Sequence, residues 1–235
     1  MPGQSFRGFA ERVALVTGGA FGISRAIALQ LAYEGAYVIV SHPHEEAESA
    51  SVAGELREIG TLAHSFAADV SRASDVLRLF AGIEELYGRL DFLVNSASFE
   101  HAAAFEELTE EAWDASINVN LKSVFLCTQA AARLMRQRPK AAIVNLAADT
   151  SLGNTGRSAV YAAAQAGIIG LTKALAQELA PRIRVNCVAV RGSHQNQSPP
   201  ANENAPAPDE VARACVYLLS SDAASITGQT LVVGS

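Results

Sequence analysis

The clearest candidate for chemistry in this chain is Tyr161, because a phenol held at the end of a strand can exchange a proton with a substrate oxygen. Tyr161 follows an apolar strand predicted at 143–148 and a polar loop at 149–156. It lies in the first turns of an alanine-rich helix predicted at 158–180, which is apolar on most sides and must therefore be buried. The sequence thus predicts that the phenol is held rigidly near the edge of a sheet.

A catalytic phenol also needs a cation beside it, since its ordinary pKa is about 10 and a base should titrate much closer to neutral pH. Gln165 lies one turn further along the helix, on the same face, and its amide is neutral. Asp149 would raise the pKa of the phenol. Arg157 precedes Tyr161 by about one turn and is predicted to point to solvent. The neighbouring residues therefore do not suit a catalytic base.

A glycine-rich turn connects the first predicted strand, 12–17, to a helix predicted at 25–33. Strand, glycine-rich turn and helix in this order are typical of a phosphate-binding loop. Gly18 allows the tight turn, and Gly22 lets the backbone approach a pyrophosphate at the helix N-terminus. Two interpretations stay open: the loop binds a dinucleotide, or it keeps its turn and no longer binds.

The strand, loop, tyrosine and alanine-rich helix resemble the active-site segment of the short-chain dehydrogenase/reductase family, and the resemblance covers nearly the whole chain. It implies a single α/β domain over 1–235, with a Rossmann-type doubly wound parallel sheet and helices on both faces. It also implies that Tyr161 gives or takes the substrate proton and that Asn120 holds a water in the proton relay. The positions of the family's catalytic serine and lysine are Ala148 and Gln165, so two of its four catalytic roles are missing.

The same resemblance implies an edge that binds NAD(P). The residues that match the family there are Thr17, Gly18, Phe21, Gly22, Ile23, Asp69, Val70 and Asn95. Asp69 would accept a hydrogen bond from the adenine amine, but it suits the capping of the next helix equally well. The second strand ends without the acid that grips ribose hydroxyls, and the glycine-rich loop has no basic residue that indicates NADP. Binding of NAD(P) and the absence of any cofactor therefore stay open.

Three further positions depart from the family where the cofactor would be approached. Ser24 replaces a glycine and is expected to crowd the helix against the strand. Ser98 replaces a glycine that lies beside the cofactor in the family. Val190-Arg191 replaces the Pro-Gly pair that cradles the nicotinamide. These departures count against cofactor binding and against activity.

Composition limits the partners of the chain. The net charge is −6 and no basic block is present, so neither nucleic acid nor a membrane is expected as a partner. The sequence has no apolar run of membrane-spanning length and no signal peptide, which predicts a cytoplasmic protein. Cys127, Cys187 and Cys215 lack metal-ligand spacing and are predicted to be buried, so no metal site is predicted.

Two helices are predicted to form a subunit interface. In the family, the helices that match 109–138 and 158–180 pair with their counterparts in a second subunit, which implies a homo- or hetero-oligomer. A polar kink is expected in the first of them at Asn120. The segment 191–208 is short and polar, which predicts a flexible loop that closes poorly over an apolar pocket.

Three functions from different classes follow from these observations. The first is a non-catalytic subunit that assembles with an active member of the family. The second is a weakly active or repurposed NAD(P)-dependent oxidoreductase that acts on a carbonyl or hydroxyl substrate through Tyr161. The third is a non-redox enzyme or ligand-binding module on the same scaffold. The missing catalytic groups, together with intact interface helices, favour the first.

Overall fold

A computed structural model describes residues 9–19, 21–43, 47–100, 103–136, 138, 140–149, 158–191 and 205–234. Seven parallel strands form one sheet in the order β3-β2-β1-β4-β5-β6-β7. The strands are β1 (Val13–Thr17), β2 (Tyr37–His42), β3 (Ala63–Ala67), β4 (Phe92–Asn95), β5 (Ala141–Ala148), β6 (Ile183–Val190) and β7 (Thr230–Val233). The predicted doubly wound parallel sheet is confirmed.

Within the described ranges, seven α-helices connect these strands. They are α1 (Gly22–Tyr33), α2 (Ala47–Glu58), α3 (Ala73–Tyr87), α4 (Glu110–Ile117), α5 (Ser123–Met135), α6 (Ala159–Glu178) and α7 (Pro208–Leu219). Every residue of β1 and β5 is buried, because helices cover the sheet on both faces. Side chains of α1, α2 and α7 fill the core on one face, and those of α3, α5 and α6 fill it on the other.

The strand order reverses between β1 and β4, and this reversal opens a crevice where the strands end. We call the edge formed by the carboxyl ends of the strands the carboxyl edge, and the opposite one the amino edge. Thr17, at the end of β1, joins this strand to the loop after β4 at the crevice. Its hydroxyl oxygen accepts from the backbone N–H of Ser96 (3.0 Å) and of Ala97 (3.2 Å). Tyr161 and all the predicted cofactor residues follow the carboxyl ends of strands.

The helix predicted over 109–138 is not continuous. It divides into α4, a π-helical turn (Asn118–Lys122) and α5, so the kink expected at Asn120 is present. The Asn120 side-chain amide donates to the carbonyl oxygens of Ser116 (2.8 Å) and Phe99 (2.7 Å), and this polar insertion accounts for the widened turn. Turns of this kind are frequent at functional sites.

The alanine-rich composition of α6 has a structural explanation. Among the described residues, α6 is the one helix long and apolar enough to cross a membrane by length and composition. It packs against β5, β6 and the π-helical turn, so it covers the sheet. Gly167 permits this contact, because a Cβ there would lie 2.8 Å from a methyl group of Leu121. The three cysteines are buried, as predicted.

Candidate active site

Tyr161 is placed at the carboxyl edge by the start of α6. The Ser158 hydroxyl caps this helix by accepting from the backbone N–H of Tyr161 (3.3 Å). The Tyr161 side chain is only 3% exposed. Burial raises its pKa to about 12; a hydrogen bond with the Ser98 hydroxyl lowers it in part, and the Glu100 carboxylate raises it further. The phenol is therefore protonated far above neutral pH.

We expect that Tyr161 remains un-ionised until the pH approaches about 12. The folded-state pKa lies above the ordinary value of about 10, so burial of the neutral phenol stabilises the fold below pH 10 and this contribution is lost as the pH rises toward 12. The difference in phenolate absorbance between the unmodified chain and Tyr161→Phe reports the titration of this residue alone. A difference spectrum that titrates below pH 10 would show that a cation acts on the phenol.

Gln165 does not supply such a cation. Its side chain is 1% exposed, and its amide oxygen accepts a hydrogen bond from the backbone N–H of Ala148 at 2.9 Å. The neutral amide is thereby hydrogen-bonded to the end of β5. This bond joins residues 148 and 165, the two positions that lack the family's catalytic serine and lysine. Within the described part of the chain, no cationic side chain contributes to the pKa of Tyr161.

Asn120 holds the loop that follows β4 against the π-helical turn. Besides its two donated bonds, its amide oxygen accepts from the backbone N–H of Phe99 (3.0 Å) and from the Ser98 hydroxyl (3.2 Å). Ser98, which replaces a glycine of the family, therefore bridges Asn120 and Tyr161. The proposed role of Asn120 in a proton relay stays a prediction.

Asp149 and Arg191 form an ion pair that sequence reasoning missed. The Nε of Arg191 donates to the Asp149 carboxylate at 3.0 Å, and the Asp149 side chain is largely buried. The carboxylate that raises the pKa of Tyr161 is thus Glu100, and the expectation that Asp149 would do so was wrong. Each residue follows the end of a strand, β5 or β6, and these strands are neighbours, so the order of the sheet was the signal that could have found the pair. Arg157 lies outside the described residues.

The glycine-rich turn has the predicted backbone. Gly18 (φ +70°) and Gly22 (φ +50°) adopt the left-handed conformation that favours glycine. A Cβ at Gly18 would lie 2.9 Å from the Cα of Ala97, so the turn also needs glycine for this close approach. Phe21 precedes α1 and offers no side-chain cap to its first N–H groups. These groups point toward the carboxyl edge, as an anion site requires.

Ser24, which was expected to crowd α1 against the sheet, has a hydrogen-bonding position for its hydroxyl. Its side chain is fully buried, and its hydroxyl lies 2.7 Å from the Ser96 hydroxyl, within hydrogen-bond distance. Ser96 follows β4, so the paired hydroxyls join α1 to the loop beside it. A glycine was replaced here without leaving a buried polar group unsatisfied.

A cavity of about 340 Å³ lies at the carboxyl edge, beside β1 and β2. Its lining residues are Gly18, Phe21, His42, Pro43, Asp69, Val70, Ala97, Ser98, Phe99 and Val119. The volume is within the range of small-molecule sites, and most of the lining side chains are apolar. Four of the predicted cofactor residues therefore meet at one cavity.

Two of the predicted cofactor residues, Ile23 and Asn95, do not line this cavity. Ile23 is buried in the core that α1 shares with the sheet. The Asn95 amide donates to the side chains of Asn145 (2.8 Å) and Thr128 (3.2 Å), which joins β4 to β5 and α5.

Asp69 lines the cavity, but its carboxylate already has partners. It accepts from the backbone N–H (3.0 Å) and hydroxyl (2.6 Å) of Ser71 and forms an ion pair with Arg72 at 3.1 Å. These contacts order the segment before α3, but Asp69 is not the cap of that helix, whose N-cap residue is Arg72. The recognition of an adenine amine by Asp69 stays a prediction.

The residues at the carboxyl edge fit the two halves of a dinucleotide unequally. A doubly wound sheet binds one mononucleotide half on each side of the strand reversal. On the β1–β2 side, the cavity and the uncapped start of α1 suit an adenosine phosphate. On the β5–β6 side, Gln165 is bound to the β5 backbone and the Asp149–Arg191 ion pair joins the strand ends. The described residues thus fit the adenosine half and do not fit the nicotinamide half.

Comparisons with known proteins agree with this architecture. The family model of short chain dehydrogenase matches residues 12–199. The chain is 36% identical over 240 residues to the (2S)-[(R)-hydroxy(phenyl)methyl]succinyl-CoA dehydrogenase subunit BbsD of Thauera aromatica, covering 96% of each chain. It is 36% identical over 237 residues to the 3-oxoacyl-[acyl-carrier-protein] reductase FabG of Staphylococcus aureus, covering 94% of this chain and 95% of the relative.

Solved structures agree as well. A putative short-chain alcohol dehydrogenase from Sinorhizobium meliloti 1021 superposes with a TM-score of 0.89 at 32% identity, covering 97% of this chain and 96% of that one. A short chain dehydrogenase from Burkholderia cenocepacia J2315 in complex with NADP superposes with a TM-score of 0.88 at 30% identity, covering 96% and 97%.

Proposed function

This chain belongs to the short chain dehydrogenase family, and from that premise we propose that it is a non-catalytic subunit, which assembles with a catalytically complete relative in an oxidoreductase. The observation that carries the proposal is the hydrogen bond between Gln165 and the backbone of Ala148. Both positions lack the group that chemistry requires, and the two residues stabilise one another instead. A carbonyl reduction at Tyr161 would leave a phenolate with no cation beside it.

The size of this deficit can be estimated from the pKa of Tyr161, which is about 12. At neutral pH the ionised fraction of such a phenol is on the order of 10⁻⁵, so it is a poor base. Ala148 also lacks the donor that would stabilise charge developing on the substrate oxygen, which is typically worth about 3 kcal/mol. From the two losses together we expect the chain to have no measurable turnover of its own.

We propose that this chain binds NAD(P) only through the adenosine half of the dinucleotide. The residues that would hold it are Gly18, Phe21 and Val70, which line the cavity of about 340 Å³, together with the first N–H groups of α1, which begins directly after Phe21. A bound dinucleotide would supply hydride in an active relative. Here the β5–β6 side gives its ring no matching contacts, so binding would serve stability or assembly.

The partner surface is proposed to be the outer face of α4, α5 and α6. Large apolar side chains are exposed there or beside it: Phe105 (73%), Trp113 (40%) and Phe125 (45%). The exposed residues of α6 include Ala163, Ala166 and Gly170, which allow close approach of another helix. A wide apolar face of this kind is typical of a stable protein–protein contact.

The charges on this surface favour a partner of the same fold. Glu110, Glu111 and Asp114 are exposed at the start of α4, whereas Arg133 and Arg136 are exposed at the end of α5. Antiparallel pairing of this helical segment with its counterpart in a relative brings the acidic end of one near the basic end of the other. One relative, the Thauera aromatica protein, is itself named as a dehydrogenase subunit, which supports assembly of such chains.

Co-expression with the catalytically complete short chain dehydrogenase encoded nearest to this chain tests the proposal. We expect a tagged copy of this chain to retain that relative through size-exclusion chromatography. Phe125→Asp is expected to weaken the complex at least about 100-fold, since it buries an unpaired charge in the contact. Affinity is measured by sedimentation or calorimetry.

The matched control is Leu77→Asp, which changes a leucine that is 61% exposed on α3, a helix that is not part of the proposed surface. This variant should leave the affinity unchanged. If Phe125→Asp binds the relative with unchanged affinity, the contact lies elsewhere. If the chain forms complexes only with itself, the proposed hetero-oligomer is contradicted.

A weakly active oxidoreductase is the second candidate. The bridge of Ser98 between Tyr161 and Asn120 favours it, because a hydroxyl from the loop after β4 is hydrogen-bonded to the phenol. The Tyr161→Phe variant separates the two functions, since any turnover of the unmodified chain should disappear with the phenol.

A further inference from the structure

A second cavity, of about 180 Å³, lies at the amino edge of the sheet. It is lined by Lys140, Ala141, Pro181, Arg182, Arg184, Ser220, Ser221 and Ala224. These residues come from the starts of β5 and β6 and from the end of α7. Because the strands are parallel, the cavity is at the opposite end of the sheet from Tyr161 and has no part in the site described above.

The lining carries positive charge without an acid to balance it. Lys140, Arg182 and Arg184 are cations, and none of the described residues that line the cavity is an aspartate or glutamate. Among the described residues, the side chains of Lys140 and Arg182 have neither a hydrogen-bond partner nor an ion pair, and both are exposed. The concentration of charge is unexpected in a chain whose net charge is −6.

Arg184 places one of these charges rigidly. Its guanidinium donates to the carbonyl oxygens of Leu218 (2.7 Å), Leu219 (3.0 Å) and Ser220 (3.0 Å), at the end of α7. Its partners are the last carbonyl oxygens of α7, whose partial negative charge offsets the positive charge only in part, and none of them is a full counter-ion. The Arg184 side chain is therefore already ordered in the fold, so an anion that binds in the cavity does not have to order it.

Two further features suit a ligand with several acceptor oxygens. The Ser220 hydroxyl is engaged with Tyr217 and Asp222, but the Ser221 hydroxyl is an exposed donor at the cavity. Lys140 has φ +65°, a conformation that favours glycine, so the backbone holds a lysine where glycine would be less strained. Such outliers cluster at ligand-binding positions.

We propose that this cavity binds a phosphate group through Lys140, Arg182 and Ser221, with Arg184 as a fixed counter-charge. A water takes about 30 Å³ of liquid volume, so a cavity of about 180 Å³ has room for a phosphate. Arginine and lysine bind phosphate by charge-assisted hydrogen bonds. The group is either free phosphate or the monoester of a larger molecule, and the site does not depend on the function proposed for the carboxyl edge.

Isothermal titration calorimetry of the full chain with inorganic phosphate, at constant ionic strength set with chloride, tests this inference. Direct binding is measured because phosphate stabilises proteins in general by exclusion from their surface. We expect one saturable site with a Kd below about 1 mM. Arg182→Gln should weaken it at least about tenfold, since it removes a charge-assisted contact. A parallel titration with glycerol 3-phosphate tests which ligand the site prefers. Tighter binding of glycerol 3-phosphate indicates a monoester, and tighter binding of inorganic phosphate indicates free phosphate.

The controls keep the test independent of folding. Arg213→Gln removes an exposed arginine from α7 and should leave the Kd unchanged. Lys140→Gly removes a cation while relieving the left-handed backbone, so it should weaken phosphate binding without lowering the unfolding temperature. Equal affinity in Arg182→Gln and the unmodified chain would overturn the proposal, as would the absence of saturable binding of both phosphates up to about 10 mM.

Discussion

The double variant Ala148→Ser, Gln165→Lys is expected to reduce a carbonyl substrate with NADH or NADPH at least about 10³-fold faster than the unmodified chain. The unmodified chain is expected to show no turnover above background, because Tyr161 has a pKa of about 12. Burial raises this pKa, and the charge of the Glu100 carboxylate raises it further. A lysine at 165 would place an ammonium on the same face of α6. Each unit by which it lowers the phenol pKa is worth about 1.4 kcal/mol.

The serine adds a second, separate contribution. A hydroxyl at 148 restores a donor to the substrate oxygen, which contributes about 10²–10³ in rate. Gln165 is the acceptor for the backbone N–H of Ala148. Gln165→Lys removes this acceptor both alone and in the double variant, at a cost of about 1–3 kcal/mol in the free energy of unfolding, so the fold of each variant is verified before its rate is measured.

The rate is measured by loss of nicotinamide absorbance with a panel of carbonyl substrates. The control is the same double variant with Tyr161→Phe, which should return to background. If the double variant is folded and still inactive, Arg191→Gly is added to open the Asp149–Arg191 ion pair. Turnover by the unmodified chain at the rate of a complete relative would contradict the proposed non-catalytic role.

The Asp91→Ala variant is expected to lower the free energy of unfolding by about 3–5 kcal/mol. Asp91 precedes β4 at the amino edge, and its side chain is fully buried. It accepts from the guanidinium groups of Arg12 (2.8 Å) and Arg89 (2.6 and 2.8 Å) and from the backbone N–H of Val13 (2.9 Å). Removing the carboxylate leaves two arginines without their counter-ion and a buried N–H without an acceptor.

The same carboxylate predicts the acid dependence of stability. Burial by itself raises the pKa of Asp91, but hydrogen bonds from Arg89, the Val13 N–H and Arg12 outweigh it, and the net pKa is lowered. A carboxyl group whose folded pKa is depressed contributes stability that is present above its unfolded pKa of about 4 and is lost as the pH falls through the folded value.

Urea unfolding at pH 7 and at about pH 3 measures both effects. The difference between the unmodified chain and Asp91→Ala should shrink below pH 4. Asp114→Ala, which removes an exposed aspartate from α4, is the matched control and should change stability by less than about 0.5 kcal/mol. A loss below about 1 kcal/mol in Asp91→Ala at pH 7 would show that the arginines find other partners.

The elements of the fold were predictable because their signals are local. Runs such as 143–148 are apolar over their whole length, which indicates a strand covered on both faces. Gly18 and Gly22 stand where the turn requires a left-handed backbone, and this requirement belongs to the residue itself. Tyr161 could be placed near the sheet edge for the same reason, since its position follows from the strand and helix on either side of it.

The sequence by itself therefore determined the alternation of strands and helices, the position of the phenol and the absence of a lysine beside it. The tertiary structure alone decided the partners of the buried polar groups. Arg191 meets Asp149 across 42 positions of sequence, and Ser24 meets Ser96 across 72. These pairs depend on which strands are neighbours and on how α1 sits on the sheet, and no local pattern carries that information. The charged cavity at the amino edge has the same origin, because Lys140 and Arg182 come together only when β5 and β6 pair.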